Sequence, residues 1–131
     1  MVLDSSAVIA VVMSEPGSEE LLSKIRAAAP TGIGAPTVVE TALVLSRRLG
    51  GDPVPLLTEL LDEIDAEVIP FTKEHSRAAM DAFIRFGKGR HPAALNFGDC
   101  LTYAVASVAN RPLLYVGDDY ARTDLVPAWV R

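Results

Sequence analysis

Short apolar runs closed by polar turns recur along this chain, and longer amphipathic stretches separate them. Val2-Leu3 runs into Asp4-Ser5-Ser6 and then into apolar residues 7–12, which predicts a strand, a turn and a helix. Glu15-Pro16-Gly17-Ser18 breaks that helix, and Ser18-Glu19-Glu20 opens another with Leu21, Leu22 and Ile25 on one face. Residues 32–36 predict a second strand. Thr37 then begins a helix whose apolar positions are Val38, Val39, Ala42, Leu43, Leu45 and Leu49, ended by Gly50-Gly51. Leu56, Leu57, Leu60, Leu61 and Ile64 form a helical stripe within residues 53–65. Val68-Ile69-Pro70 predicts a third strand, and Thr72 caps a helix through Ala78, Ala79, Ala82, Phe83 and Phe86. After a glycine-containing loop, Asn96 opens a helix from Phe97 to about Ala109. Residues 113–116 predict a strand, and Leu125-Val126 a last short one.

Short, nearly all-apolar strands separated by helices indicate a parallel sheet covered on both faces. The expected fold is therefore α/β, a three-layer α/β/α sandwich with a short, mostly parallel central sheet. With 131 residues, half of them hydrophobic, the chain reads as a single domain spanning 1–131. A domain of this size hides roughly two-thirds of its surface, enough for an independent core. One cysteine and two histidines make neither an internal disulfide nor a structural zinc site, which suits a reducing compartment. No run of roughly 18 apolar residues suggests a membrane span, and the start lacks a signal-peptide pattern, so a cytoplasmic protein is expected. The net charge of −5 means that a nucleic acid would be held without a favourable overall field.

In such folds, ligands gather beyond the carboxyl ends of the strands. Acids fall there repeatedly: Asp4 after the first strand, Glu40 a turn into the helix after the second, Asp99 at a helix start, and Asp118-Asp119 after the strand at 113–116. Clustered like charges cost stability unless a cation is shared among them, and oxygen-only donors point to Mg²⁺ or Mn²⁺. Each acid also has a structural reading. Thr37-x-x-Glu40 and Asn96-x-x-Asp99 have capping-box spacing, and Asp118-Asp119 after Gly117 suits a turn.

Asp4-Ser5-Ser6-Ala7, Glu40, Asn96-Phe97-Gly98-Asp99-Cys100 and the segment from Leu114 to Asp124 together resemble a PIN domain, nearest to the VapC toxins of type II toxin–antitoxin systems. The resemblance runs from end to end. It implies a metal-dependent endoribonuclease that cleaves RNA phosphodiester bonds, restrained by a cognate antitoxin and assembled as a homodimer. Asp4 and Asp99 match the family's central metal ligands, and Glu40 its helix glutamate. The family's turn often reads Gly-Asn-Asp-Phe, which puts the fourth acid at Asp119 and leaves Asp118 as the other candidate. Tyr120 stands in place of the phenylalanine, with no mechanistic consequence expected. Ser6 matches a hydroxyl residue that orients the first acid, although a helix N-terminal hydroxyl would read the same way.

Lys88 and Arg90, beside Arg85 in a glycine-containing loop, are candidate RNA contacts. His75 and His91 are expected to be structural, His75 at the surface. Cys100 is expected to be buried, and Trp129 to anchor the tail. For the antitoxin, the stripes Leu21, Leu22 and Ile25 or residues 56–64 are candidate surfaces, if they are not core. An antitoxin Arg or Lys entering the acidic cleft would explain inhibition. Two alternatives share the acidic pocket. A haloacid-dehalogenase-like phosphatase needs a second acid where Ser6 stands, and a Mg²⁺-binding phospho-acceptor receiver needs paired early acids and a late lysine, whereas no lysine follows Lys88.

Overall fold

The computed structural model describes residues 1–28 and 30–129. Among these, the chain runs β1 (Val2–Leu3), α1 (Ser5–Val12), α2 (Ser18–Ala27), β2 (Thr31–Gly34), α3 (Ala35–Leu49), α4 (Val54–Glu63), β3 (Ala66–Ile69), α5 (Lys73–Phe86), α6 (Phe97–Ala109) and β4 (Leu113–Leu114). The strands pair in the order β3-β2-β1-β4, all parallel, with Leu3 beside Ile33 on one flank and Leu114 on the other. The expected α/β sandwich is therefore what the chain forms, with the described pairs wholly parallel.

Strand alternation divides the core in two. Val2 and Leu113 face a cluster with Ala82, Phe86, Tyr103 and Ala104 from α5 and α6. Leu3, Ile33 and Leu114 face the opposite cluster, built from Ala7 and Val8 of α1, Leu21 and Ile25 of α2, and Leu57 and Leu61 of α4. The apolar stripes of α2 and α4 are thus mostly core. Leu21, Ile25, Leu57, Leu61 and Ile64 are buried and unavailable to an antitoxin, and only Leu56 of that set stands well exposed.

Helix α3 forms two residues earlier than expected and turns a different face inward. Gly34 is its N-cap and Pro36 sits in its first turn, a position where the missing N–H costs nothing. Thr37, Thr41 and Leu45 are the buried positions, whereas Val39, Leu43 and Leu49 are exposed. Burial of the two threonines is tolerated because their hydroxyls are satisfied. Thr41 Oγ1 donates to the Thr37 carbonyl at 2.7 Å, and Thr37 Oγ1 pairs with Thr102 Oγ1 of α6 at 3.0 Å.

Three smaller expectations also change. His75 is buried, its Nδ1 accepting from the Thr72 backbone N–H at 3.0 Å in a capping box at the start of α5. Phe83 lies on the outer face of α5 and is exposed. Leu125-Val126 forms no strand; the segment crosses the sheet edge at a single bridge between Leu113 and Pro127. Cys100 is buried as expected, and Trp129 packs against the α1–α2–α4 core. No helix among the described residues is long and apolar enough to cross a membrane.

Candidate active site

Parallel strands deliver their carboxyl ends to one edge, and a cavity of about 360 Å³ opens there. Asp4, Glu40, Asp99 and Asp119 all line it, together with Ser6, Asn96 and Arg48. Asp4 follows β1 directly and is the N-cap of α1. It is buried, and both carboxylate oxygens are bonded: Oδ2 accepts from Ser6 N–H at 3.1 Å and from Ser6 Oγ at 2.5 Å, while Oδ1 accepts from the Tyr120 hydroxyl at 2.8 Å. Ser6 Oγ in turn accepts from Val116 N–H at 2.9 Å. Ser6 therefore orients Asp4 and ties the end of β4 to α1, so the hydroxyl does more than cap a helix.

Asp99 sits in the first turn of α6, inside a reciprocal capping box. Asn96 N–H donates to Asp99 Oδ2 at 3.1 Å, and Asp99 N–H donates to Asn96 Oδ1 at 2.9 Å. The structural reading of this spacing is thus real, and it coexists with the site rather than replacing it. The Tyr120 hydroxyl also reaches Asp99 Oδ1 at 3.3 Å. Burial, reinforced by the charges of Asp119 and Asp4, pushes the Asp99 carboxyl up to about 6, against the lowering effect of its hydrogen bonds from Asn96 and Tyr120.

Glu40 is not in a capping box, because α3 begins before Thr37 and the Thr37 hydroxyl is turned to Thr102. Its carboxylate lies against Gly98, at the start of α6. Between the two turn acids, Asp119 faces the cavity. Asp118 instead lines a neighbouring cavity with Tyr115, Gly117 and Trp129, and its charge acts on the Tyr115 phenol.

The sequence match decides the family: the PIN domain matches residues 1–125. The chain belongs to the PIN-domain family, among its VapC ribonucleases. VapC ribonuclease Mb2004c of Mycobacterium bovis and Ribonuclease VapC36 of Mycobacterium tuberculosis are each 46% identical to it over 126 residues, covering 95% of this chain and 91% of theirs. Ribonuclease VapC42 of M. tuberculosis is 36% identical over 129 residues, 98% of each chain. In fold, the crystal structure of M. tuberculosis VapC20, a Sarcin-Ricin loop cleaving toxin, superposes with a TM-score of 0.77 over 95% of both chains at 16% identity. A toxin–antitoxin complex from Klebsiella pneumoniae gives 0.71 at 14% identity, over 98% of this chain and 97% of that one. The phosphatase and receiver alternatives fall with that membership.

The donors of this PIN-domain site suit a hard divalent cation in kind, since they are carboxylate oxygens. In number the match is closer to two than to four. Among the described residues, no group of three Asp, Glu, His or Cys side chains is gathered as a protein-only metal cage would require. Asp4 and Asp99 are the joined pair, through Tyr120. That arrangement fits Mg²⁺, which keeps several waters and binds through one or two carboxylates. Of the basic loop, Arg85 is committed elsewhere: it bonds Asp124 at 3.1 Å and Asp81 at 3.3 Å and lies over Phe86. Lys88 and Arg90 remain exposed, Lys88 on a groove that shares Asn96 with the acidic cavity.

Arg48 has no role in the sequence pattern described above, and Tyr120, expected there to be without mechanistic consequence, bonds two of the acids. Arg48 lines the acidic cavity and pairs with Glu15 at 3.1 Å. Its signal was present, because Glu40, Val44 and Arg48 recur at i, i+4 and i+8 and all line this cavity. The Tyr120 hydroxyl had no such signal, since nothing local to the turn reveals that it reaches two acids from distant elements.

Proposed function

We propose that this chain is a Mg²⁺- or Mn²⁺-dependent endoribonuclease, the toxin of a toxin–antitoxin pair, acting at the Asp4–Asp99 cavity. The observation that carries the reading is the pair of carboxylates, from β1 and α6, bonded to one hydroxyl in a cavity with two further acids. Asp4 and Asp99 would hold the cation directly. When bound, it would lower the pKa of a water and offset the negative charge that builds on the phosphoryl group. Ser6 keeps Asp4 aimed into the cavity. Glu40 and Asp119 supply carboxylates that orient the attacking water and take its proton. Lys88 as a point charge and Arg90 through its guanidinium fork contact the RNA backbone, compensating locally for an acidic protein.

The reading brings two protein partners, a cognate antitoxin and a second copy of the chain. Most of the exposed apolar surface for them lies on α3, α5 and α6; α4 adds only Val54 and Leu56. Val39 and Leu43 border one groove, and Met80, Phe83 and Ile84 border another, with Phe97 between them at 80% exposure. The activity test is cleavage of a structured RNA by the purified chain with and without Mn²⁺, set against Asp4→Asn and Asp99→Asn. Both substitutions should abolish cleavage. A wild-type rate in either would overturn the assignment.

A further inference from the structure

One phenolic hydroxyl serves two acids from opposite parts of the chain, and the count of acceptor positions shows what that does to them. A carboxylate oxygen offers two lone pairs. Asp4 Oδ2 uses both on Ser6, so the acceptor position left on Asp4 is on Oδ1, the oxygen that Tyr120 also holds. Asp99 Oδ2 takes the Asn96 N–H, and its Oδ1 takes the longer branch from Tyr120. The free lone pair of Asp4 is thereby set beside those of Asp99.

The hydroxyl itself has little freedom. Tyr120 is 1% exposed, and its ring packs edge-on against Tyr115 at 5.2 Å between centroids. Close to it, the buried Thr102 hydroxyl is paired with Thr37 of α3 at 3.0 Å. A rigid ring therefore fixes the donor that joins the two Oδ1 oxygens, while Ser6 and Asn96 hold the Oδ2 oxygens. A phenylalanine would fill almost the same volume and supply no donor, leaving two like charges to repel across the cavity.

We propose that the Tyr120 hydroxyl is a positioning group that holds the Asp4 and Asp99 carboxylates in register for a divalent cation. The inference rests on the metal-dependent reading above and deepens it. The pair is already ordered when the ion arrives, so ion binding does not have to bear the cost of ordering it.

The test is Tyr120→Phe in the full chain, with Mn²⁺ affinity measured by calorimetry in the absence of RNA, and RNA cleavage measured across Mn²⁺ concentrations. We expect Mn²⁺ to bind about tenfold more weakly, the scale of one hydrogen bond to a charged group. Cleavage should fall at low Mn²⁺ and return to the wild-type rate at saturation. Thr102→Val should shift the affinity in the same direction by less, and it carries the test should Tyr120→Phe not fold. Wild-type Mn²⁺ affinity in the folded variant, even with a lower Tm, overturns the proposal, because a merely structural bond would lower Tm alone. Tighter binding also overturns it, since the hydroxyl would then be competing with the ion. A wild-type chain that binds no Mn²⁺ yet cleaves RNA overturns the metal-dependent reading itself, and this proposal with it.

Discussion

Gly98 lies in direct contact with the Glu40 carboxylate: a Cβ added to Gly98 would overlap Glu40 Oε2. The first turn of α6 thus fixes where the end of a side chain from α3 can sit. The backbone at Gly98 is not left-handed, so alanine is compatible with it and would favour the helix by about 0.5–1 kcal/mol. Only the flexible end of Glu40 has to move. Gly98→Ala is therefore expected to melt at or slightly above the wild-type temperature while cleaving RNA as poorly as Glu40→Ala. Melting curves and cleavage rates on the same preparations check this, and a fully active Gly98→Ala would mean that the position of Glu40 is immaterial.

The contrast between Glu40 and Leu43 shows what was legible in the sequence and what was not. Glu40 lies near the strand ends, as its place in the sequence predicts, because parallel strands deliver whatever follows them to one edge. The helix carrying it is also predicted, and Leu45, Val38 and Ala42 do face the core, but Leu43 and Thr41 do not follow the hydropathy pattern. Hydropathy assigns Leu43 inward and Thr41 outward, whereas Thr41 is fully buried and Leu43 is 55% exposed. Threonines can enter a core when their hydroxyls find partners, and the partner of Thr37 is Thr102, 65 residues away. Such long-range pairing leaves no local pattern. His75 followed the same logic, its burial being explained by a cap to Thr72 rather than by its own polarity. Asn96, by contrast, announced α6 by a side-chain chemistry that acts within four residues.

Asp99 carries both a cost and a benefit, and the two can be separated. Burial and its acidic neighbours disfavour its charge, while its Oδ2 accepts the capping bond from Asn96. Asparagine removes the charge and keeps an oxygen able to accept that bond. In chelator at neutral pH, Asp99→Asn should be more stable than wild type by about 1 kcal/mol, a few degrees in Tm. Mg²⁺ should narrow the gap by stabilising wild type alone. Because the folded pKa lies above the unfolded one, the wild-type penalty is relieved as pH falls from about 6 towards the ordinary carboxyl value, and the advantage of the variant should vanish over that window. A variant clearly less stable than wild type in chelator would make the cap the dominant role.

The same elevated carboxyl leads to an expected pH profile for cleavage, if Asp99 holds the proposed cation. Asp99 should be ionised above about 6, as cation binding would require, and increasingly protonated below it. Cleavage is expected to fall on acidification with a midpoint near 6 at low Mn²⁺. Because metal and proton compete for the same oxygens, raising Mn²⁺ should carry that midpoint downward. Rates measured across pH at two Mn²⁺ concentrations decide it. A midpoint that does not move with metal would place the titrating group elsewhere.

The groove between α5 and α6 has a volume of about 740 Å³ and is walled by Met80, Phe83, Ile84, Phe97 and Leu101. Four of these side chains are between 44% and 80% exposed, a concentration of apolar surface that a lone chain would bear at a cost in solubility. It continues through Phe97 and Leu101 into the groove bounded by Val39 and Leu43. A second copy of the chain, presenting the same side chains, would bury both at once, as a two-fold interface does. Phe83→Asp and Ile84→Asp lie on the outer face of α5, away from the acidic cavity, so neither should unfold the protein or alter the carboxylates. Each is expected to lower the solution mass, measured by light scattering, from that of a dimer to that of a monomer. A dimer that survives both substitutions would remove this face from self-association, and loss of antitoxin binding in the same variants would assign it to the antitoxin instead.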